Sequence, residues 1–121
     1  MKRDLNLMRQ IMLDLENNDD YYTDLNSLYP NSNKEFLICA AYHLRLLEDA
    51  GYIQLGKPTM MGGWVDYPVN LITNQGYEFI RLTQEPTIWE KSLPLIMKGG
   101  GIASIQVIQD ILKKIMNLAN A

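Results

Sequence analysis

The stretch YHLRLLEDAGYIQ, residues 42–54, runs out of an amphipathic helix, across an Ala-Gly break and into a segment with strand character. With Leu44 at the centre of a helical wheel, Leu37, Ala40, Ala41 and Leu47 fall beside it as one core-facing stripe. Ser32 or Asn33 caps the start of this helix, and Gly51 is placed to stop it. Residues 52–57 then alternate as a strand. Residues 58–63 supply turn formers, and residues 68–73 form a second strand rich in β-formers, which together make a hairpin.

Upstream, Leu5, Met8, Met12 and Leu15 repeat at helical spacing, with Asp4 as cap and Asn17 and Asn18 as the stop. Residues 18–33 read as a loop holding a short element between Asp24 and Tyr29. Downstream, Thr73 caps NQGYEFIRLTQ, where Gly76 is expected to permit close packing at a cost in helix propensity. PTIWEKSLPLIMK opens with Thr87 and Glu90 at capping-box spacing, and Pro94 is expected to kink or end that helix. The three glycines at 99–101 read as a flexible break. Beyond them Ser104 caps a last helix with Ile105, Ile108, Leu112 and Ile115 on one seam, widened by Val107, Ile111 and Leu118.

Helix, short element, helix, strand, wing loop, strand, helix is the order of a winged helix-turn-helix. The expected fold is therefore mainly α with a small antiparallel β-hairpin (α+β), a winged helix-turn-helix with a C-terminal helical extension. Residues 1–83 are assigned to the winged-helix domain and residues 84–121 to a helical extension that packs in cis or dimerises.

At 121 residues, 47% hydrophobic and 21% charged, the chain is of a size and composition for one globular core. The net charge of −3 weighs against nonspecific binding to phosphates. Cys39 is the sole cysteine and His43 the sole histidine, so there is no intramolecular disulfide and no Cys/His zinc site. Cys39 reads as a small apolar helix residue suited to a reducing cytoplasm. His43, on the flank of the core stripe, reads as a half-buried packing residue. Arg9, Gln10 and Asp14 interrupt any signal-peptide core near the N-terminus, and no apolar run is long enough for a membrane span. No phosphate-binding loop and no nucleophile with its base are present, so neither enzymatic activity nor a cofactor is expected.

MKRDLNLMRQIMLDLE, YHLRLLEDAGYI, LITNQGYEF and TIWEK, in that order, resemble a family of short bacterial and bacteriophage proteins catalogued as a domain of unknown function. The resemblance spans most of the chain and implies a winged-helix fold and a bacterial or prophage origin. Two departures stand out. Ile72, Thr73, Asn74, Gln75 and Gly76 replace the family's Leu-Thr-Trp-Glu-Gly, and Pro94 interrupts a helix that is usually free of proline.

For a winged helix, the expected activity is binding of double-stranded DNA as a transcription regulator. Lys2, Arg3, Asn33, Lys34, Tyr42, Arg45 and Lys57 are the candidate contacts. The outward face of helix 34–50 nevertheless carries Glu35, Ile38, Cys39, Tyr42, Leu46 and Asp49 beside only Lys34 and Arg45. The wing carries Met60, Met61, Trp64 and Tyr67 with only Lys57 and Asp66 as charges. Such surfaces suit a protein partner, so an adaptor role without DNA is the alternative. Its candidate contacts are Met60, Met61, Trp64, Ile105, Ile108, Leu112 and Ile115. The width of the last helix's apolar face points to a homodimer.

Overall fold

A computed structural model of the protein describes residues 1–20, 22–98 and 105–119, with the backbone alone at 98, 105–108 and 119. The expected glycine break at 99–101, the Ser104 cap and the side chains of Ile105, Val107 and Ile108 lie outside the described residues. The elements are α1 (Leu5–Glu16), α2 (Leu25–Leu28), α3 (Lys34–Asp49), β1 (Ile53–Leu55), β2 (Thr59–Met60), β3 (Val65–Asp66), β4 (Val69–Ile72), α4 (Asn74–Thr83), α5 (Pro86–Lys98) and α6 (Ile105–Ala119). The fold is mainly helical with small antiparallel sheets, as the sequence pattern implies. Contacts divide it into two compact units, Met1–Tyr77 and Glu78–Ala121, so the division falls inside α4.

In the first unit the capping side chains act where the sequence places them. The Leu7 amide donates to Asp4 at 3.1 Å, the Ser27 amide to Asp24 at 2.9 Å and the Phe36 amide to Asn33 at 2.8 Å. Leu5, Met8, Ile11, Met12 and Leu15 of α1 are buried, as are Leu37, Ala40, Ala41, Leu44 and Leu47 of α3. α3 packs on α1 through these stripes. Tyr29, which follows α2, donates to Asp14 of α1 at 2.5 Å and meets Phe36 edge-on at 5.2 Å. Burial, with the Asp14 bond and its charge added, raises the Tyr29 phenol above its ordinary range.

His43 corrects the half-buried expectation, since it is fully buried. The Asp4 amide donates to its Nε2 at 2.8 Å. That nitrogen therefore carries no hydrogen, and Nδ1 donates to the Cys39 carbonyl at 2.8 Å. The imidazole ties the start of α1 to the middle of α3.

The corner at Glu48-Asp49-Ala50-Gly51-Tyr52 is a Schellman turn. The Gly51 amide bonds the Glu48 carbonyl and the Tyr52 amide bonds the Leu47 carbonyl, each at 2.9 Å, while Gly51 takes φ +82°. The chain enters β1 directly, and β1 pairs antiparallel with β4, Ile53 opposite Ile72 and Gln54 opposite Leu71, with an irregularity before Leu55 meets Val69. On the far side of β4, the Val69 amide donates to the Thr23 carbonyl at 2.7 Å, so a one-residue strand between α1 and α2 joins the sheet.

The loop expected over residues 58–63 is more ordered than its turn residues suggest. Thr59 and Met60 form β2, which pairs with β3. Gly62 and Gly63, at φ +73° and +97°, make the tight turn between them, and the Met61 amide bonds the Trp64 carbonyl at 2.9 Å. Asp66 is not a surface charge of this wing. It is 1% exposed, and its carboxylate accepts the amides of Leu25 and Asn26 at 3.0 Å and of Tyr67 at 2.9 Å.

The Thr73 hydroxyl donates to the Gly51 carbonyl at 2.5 Å and accepts from the Gly76 amide at 3.0 Å, closing the corner and capping α4 together. A Cβ on Gly76 would strike the Tyr52 carbonyl, which confirms the close approach expected there.

In the second unit Phe79, Ile80, Leu82, Ile88, Trp89, Ile96 and Leu112 are buried, Phe79 and Trp89 meet edge-on at 6.4 Å, and α5 packs on α6. The cap of α5 is Glu85, not Thr87, because the helix starts at Pro86 and the Ile88 amide donates to Glu85 at 2.8 Å. That bond is the main cause that holds the Glu85 carboxyl below its usual range, so its contribution is present at neutral pH and is lost as acid protonates it. Pro94 does not end α5, which continues to Lys98. Pro94 is exposed, as is Glu90 one turn before it, so the carbonyl that Pro94 leaves without a helical donor lies on a wet face.

Two substitutions test this frame by urea denaturation. Gly76→Ala, which raises helix propensity, is expected to destabilise by about 2 kcal/mol because backbone stands in its way. Asp66→Ala is expected to cost about 3 kcal/mol or more by stranding buried amides. Asp66→Asn, which keeps one acceptor oxygen, should lose less.

Candidate functional site

The outward face of α3 and the wing formed by β2 and β3 meet across a groove of about 370 Å³. Ile38, Ala41, Tyr42 and Arg45 line it from α3, and Gly63, Trp64, Val65 and Tyr67 line it from the wing, with Met1 at its edge. The alternation of a β-strand explains the wing side. Asp66 turns inward to cap α2, and its neighbours Val65 and Tyr67, both half-buried, stand on the other face toward α3. On α3, Ile38, Tyr42 and Arg45 follow at spacings of four and three, so they share one exposed ridge. A second hollow of about 300 Å³, lined by Tyr42, Arg45, Leu46 and Asp49, continues along the helix.

Of the candidate nucleic-acid contacts, Tyr42 and Arg45 lie in the groove, and Lys34 reaches it from the start of α3, its ammonium resting against Gly63. Asn33 is exposed, but its side-chain oxygen is already occupied as the α3 cap. Lys2 and Lys57 are exposed and line none of these hollows. Arg3 is half-buried, with Nη2 out of water and without a hydrogen-bond partner, and its charge acts on the phenol of Tyr52. Burial nonetheless dominates there and raises the Tyr52 phenol above its ordinary range.

Of the candidate protein contacts, Trp64 lines the groove, Met60 projects from the wing at 76% exposure, and Met61 is half-buried beside the turn. Leu112, expected in an intermolecular seam, is instead fully buried within the chain, and Ile115 is half-buried. Ile38, Val65 and Tyr67 line the groove beyond the candidate contacts. Their signal was legible in the four-residue spacing from Lys34 to Ile38 to Tyr42 and in the apolar, acidic, aromatic alternation of residues 65–67.

Among the described residues no group of three or more His, Cys, Asp or Glu side chains is placed to hold a metal ion, and no helix is long and apolar enough to cross a membrane. Cys39 is a free, half-buried thiol 3.8 Å from His43 Nδ1, a nitrogen already engaged by a carbonyl.

These features define a mainly helical α+β protein whose exposed α3 and β-hairpin frame one groove. Residues 2–103 match the family model described as Hypothetical protein (DUF2513), and the chain belongs to that family. No curated protein and no solved structure matches it.

The two tryptophans give the groove its own reporter. Trp89 is 3% exposed and Trp64 lies half-buried in the groove wall. Acrylamide should therefore quench Trp64 readily and Trp89 poorly. In Trp64→Phe the remaining emission should be blue-shifted and protected.

Proposed function

We propose that residues 1–77 form a winged-helix module whose working face is the α3–wing groove, and that this face recognises another protein without catalysis. The fold reading rests on the element order and on the Thr23 to Val69 bridge, which supplies the short strand that a winged helix places between its first two helices. The apolar groove carries the functional reading. Ile38, Tyr42, Trp64, Val65 and Tyr67 offer side chains that gain by leaving water, in the place where a DNA-reading relative would carry donors for base edges and phosphates.

Charge supports the same choice. Residues 1–77 contain six Lys and Arg against ten Asp and Glu, whereas each phosphate contact draws on a cation or a donor. A second reading, duplex DNA entered by α3, is favoured by one observation, the alignment of Lys34, Tyr42 and Arg45 along the exposed side of that helix. We read the second unit as a dimerisation element. Leu95 and Met97 of α5 and Leu118 of α6 are 47%, 52% and 65% exposed, apolar side chains on a helical pair that gain by leaving water against a second copy.

Titration of the full chain into labelled mixed-sequence duplex at low salt separates the two readings of the groove. The protein reading expects no saturable change in anisotropy. A complex that weakens steeply as salt rises, and weakens further in Arg45→Ala, would instead establish DNA binding. For the dimer, light scattering is expected to give twice the chain mass, and Leu118→Glu is expected to halve it while leaving the helical spectrum intact.

A further inference from the structure

We propose that the α3–wing groove takes a short apolar peptide segment bearing carboxylates, so that the partner's recognition segment is acidic and not basic. This rests on the reading of the groove as a protein-binding face and specifies what it would hold.

The inference comes from how charge is distributed. The unit is acidic overall, yet no Asp or Glu lines the groove, and its charges are cations. Arg45 stands in the lining, and the Lys34 ammonium rests against Gly63, itself part of the lining. Neither makes an ion pair among the described residues, unlike Arg81 and Lys113, which pair with Glu78. The carboxylates of α3 are placed elsewhere. Glu48 accepts the Leu55 amide at 2.8 Å, and Asp49 faces the adjoining hollow without pairing to Arg45. An apolar trough with two uncompensated cations is complementary to apolar anchors flanked by negative charge.

The spacing sets the size of the segment. Lys34 and Arg45 are eleven residues apart on one helix, about 16 Å along its axis. An extended segment of about five residues spans that length, placing a carboxylate at each end and its apolar side chains between. The groove volume is in the range of pockets that hold a few side chains, so it takes anchors from a segment and not the body of a domain.

The test uses two fluorescein-labelled pools of tryptophan-free peptides of about ten residues, matched in Leu, Ile and Phe content. One pool carries Asp and Glu at the remaining positions, and the other carries Lys and Arg. Anisotropy on the full chain is expected to rise with the acidic pool and not with the basic one, and the acidic pool should shield Trp64 from acrylamide. Arg45→Glu, an exposed substitution that leaves the core untouched, should weaken the acidic pool at least about tenfold. Ile38→Asp should remove binding by placing a charge in the trough.

Equal binding of the two pools, preference for the basic pool, or binding of neither would overturn the acidic assignment and leave the protein-binding reading to stand on its own test. Displacement of the acidic pool by single-stranded or duplex DNA at low salt, with Trp64 shielded by the nucleic acid, would overturn both.

Discussion

The carboxylate of Asp66 is the constraint on which the first unit depends. α2 is only four residues long, too short to hold itself by propagation, and its opening amides need acceptors from elsewhere. Asp24 accepts one of them, and Asp66, from the base of the wing, accepts two more. A carboxylate taken out of water is tolerated only when its oxygens are filled, and the third donor, the Tyr67 amide, completes the set. One side chain thus fixes α2 and the wing to each other. Because strand neighbours point to opposite faces, holding Asp66 inward also holds Val65 and Tyr67 outward over α3. The groove follows from the burial of a charge.

The other end of the wing is anchored by geometry more than by charge. The Schellman turn delivers the chain from α3 into β1, and the Thr73 hydroxyl fastens the end of β4 to the same Gly51 carbonyl. Gly76 lets α4 start against the Tyr52 backbone, where any larger residue would force the helix away. The base of the hairpin is therefore held at both strands. Its tip is a two-glycine turn preceded by Met60 and Met61. Unbranched methionines on a short ladder have many side-chain conformers open to them.

The helices were legible because their information is local. Asp4, Asn33 and Thr73 cap what their positions predict, and the stripe around Leu44 is buried as its periodicity requires. The errors share a cause, since each involves a side chain whose partner lies far along the chain. Asp66 reads as a surface charge until α2, some forty residues earlier, supplies the amides it accepts. His43 reads as a flank residue until Asp4, thirty-nine residues away, donates to it. Thr87 and Glu90 match a capping pattern, but Pro86 is better suited to the first helical position, and the cap moves to Glu85. Of the candidate site, the α3 half was readable from spacing. Of the wing half, the alternation of residues 65–67 is readable, but not which face it turns to α3, because that depends on a two-glycine turn and on the inward pull of Asp66.

The same long-range contacts bear on what the groove recognises. A phosphate backbone would be met by cations free to move, and the fold draws several polar groups of this unit into other duties. The Asn33 side chain closes the start of α3, and Arg3 is tucked beside Tyr52. Arg45 lines the groove from the exposed ridge of α3, with Tyr42 and Ile38 before it, and the Lys34 ammonium rests against Gly63 of the same lining. Two cations among apolar side chains gain little from a polyanion that water and salt screen well. They gain more from carboxylates delivered on an apolar segment, because burying the anchors also shields the ion pairs from water. On the proposed reading, the apolar character of the groove is what would give its few charges their selectivity.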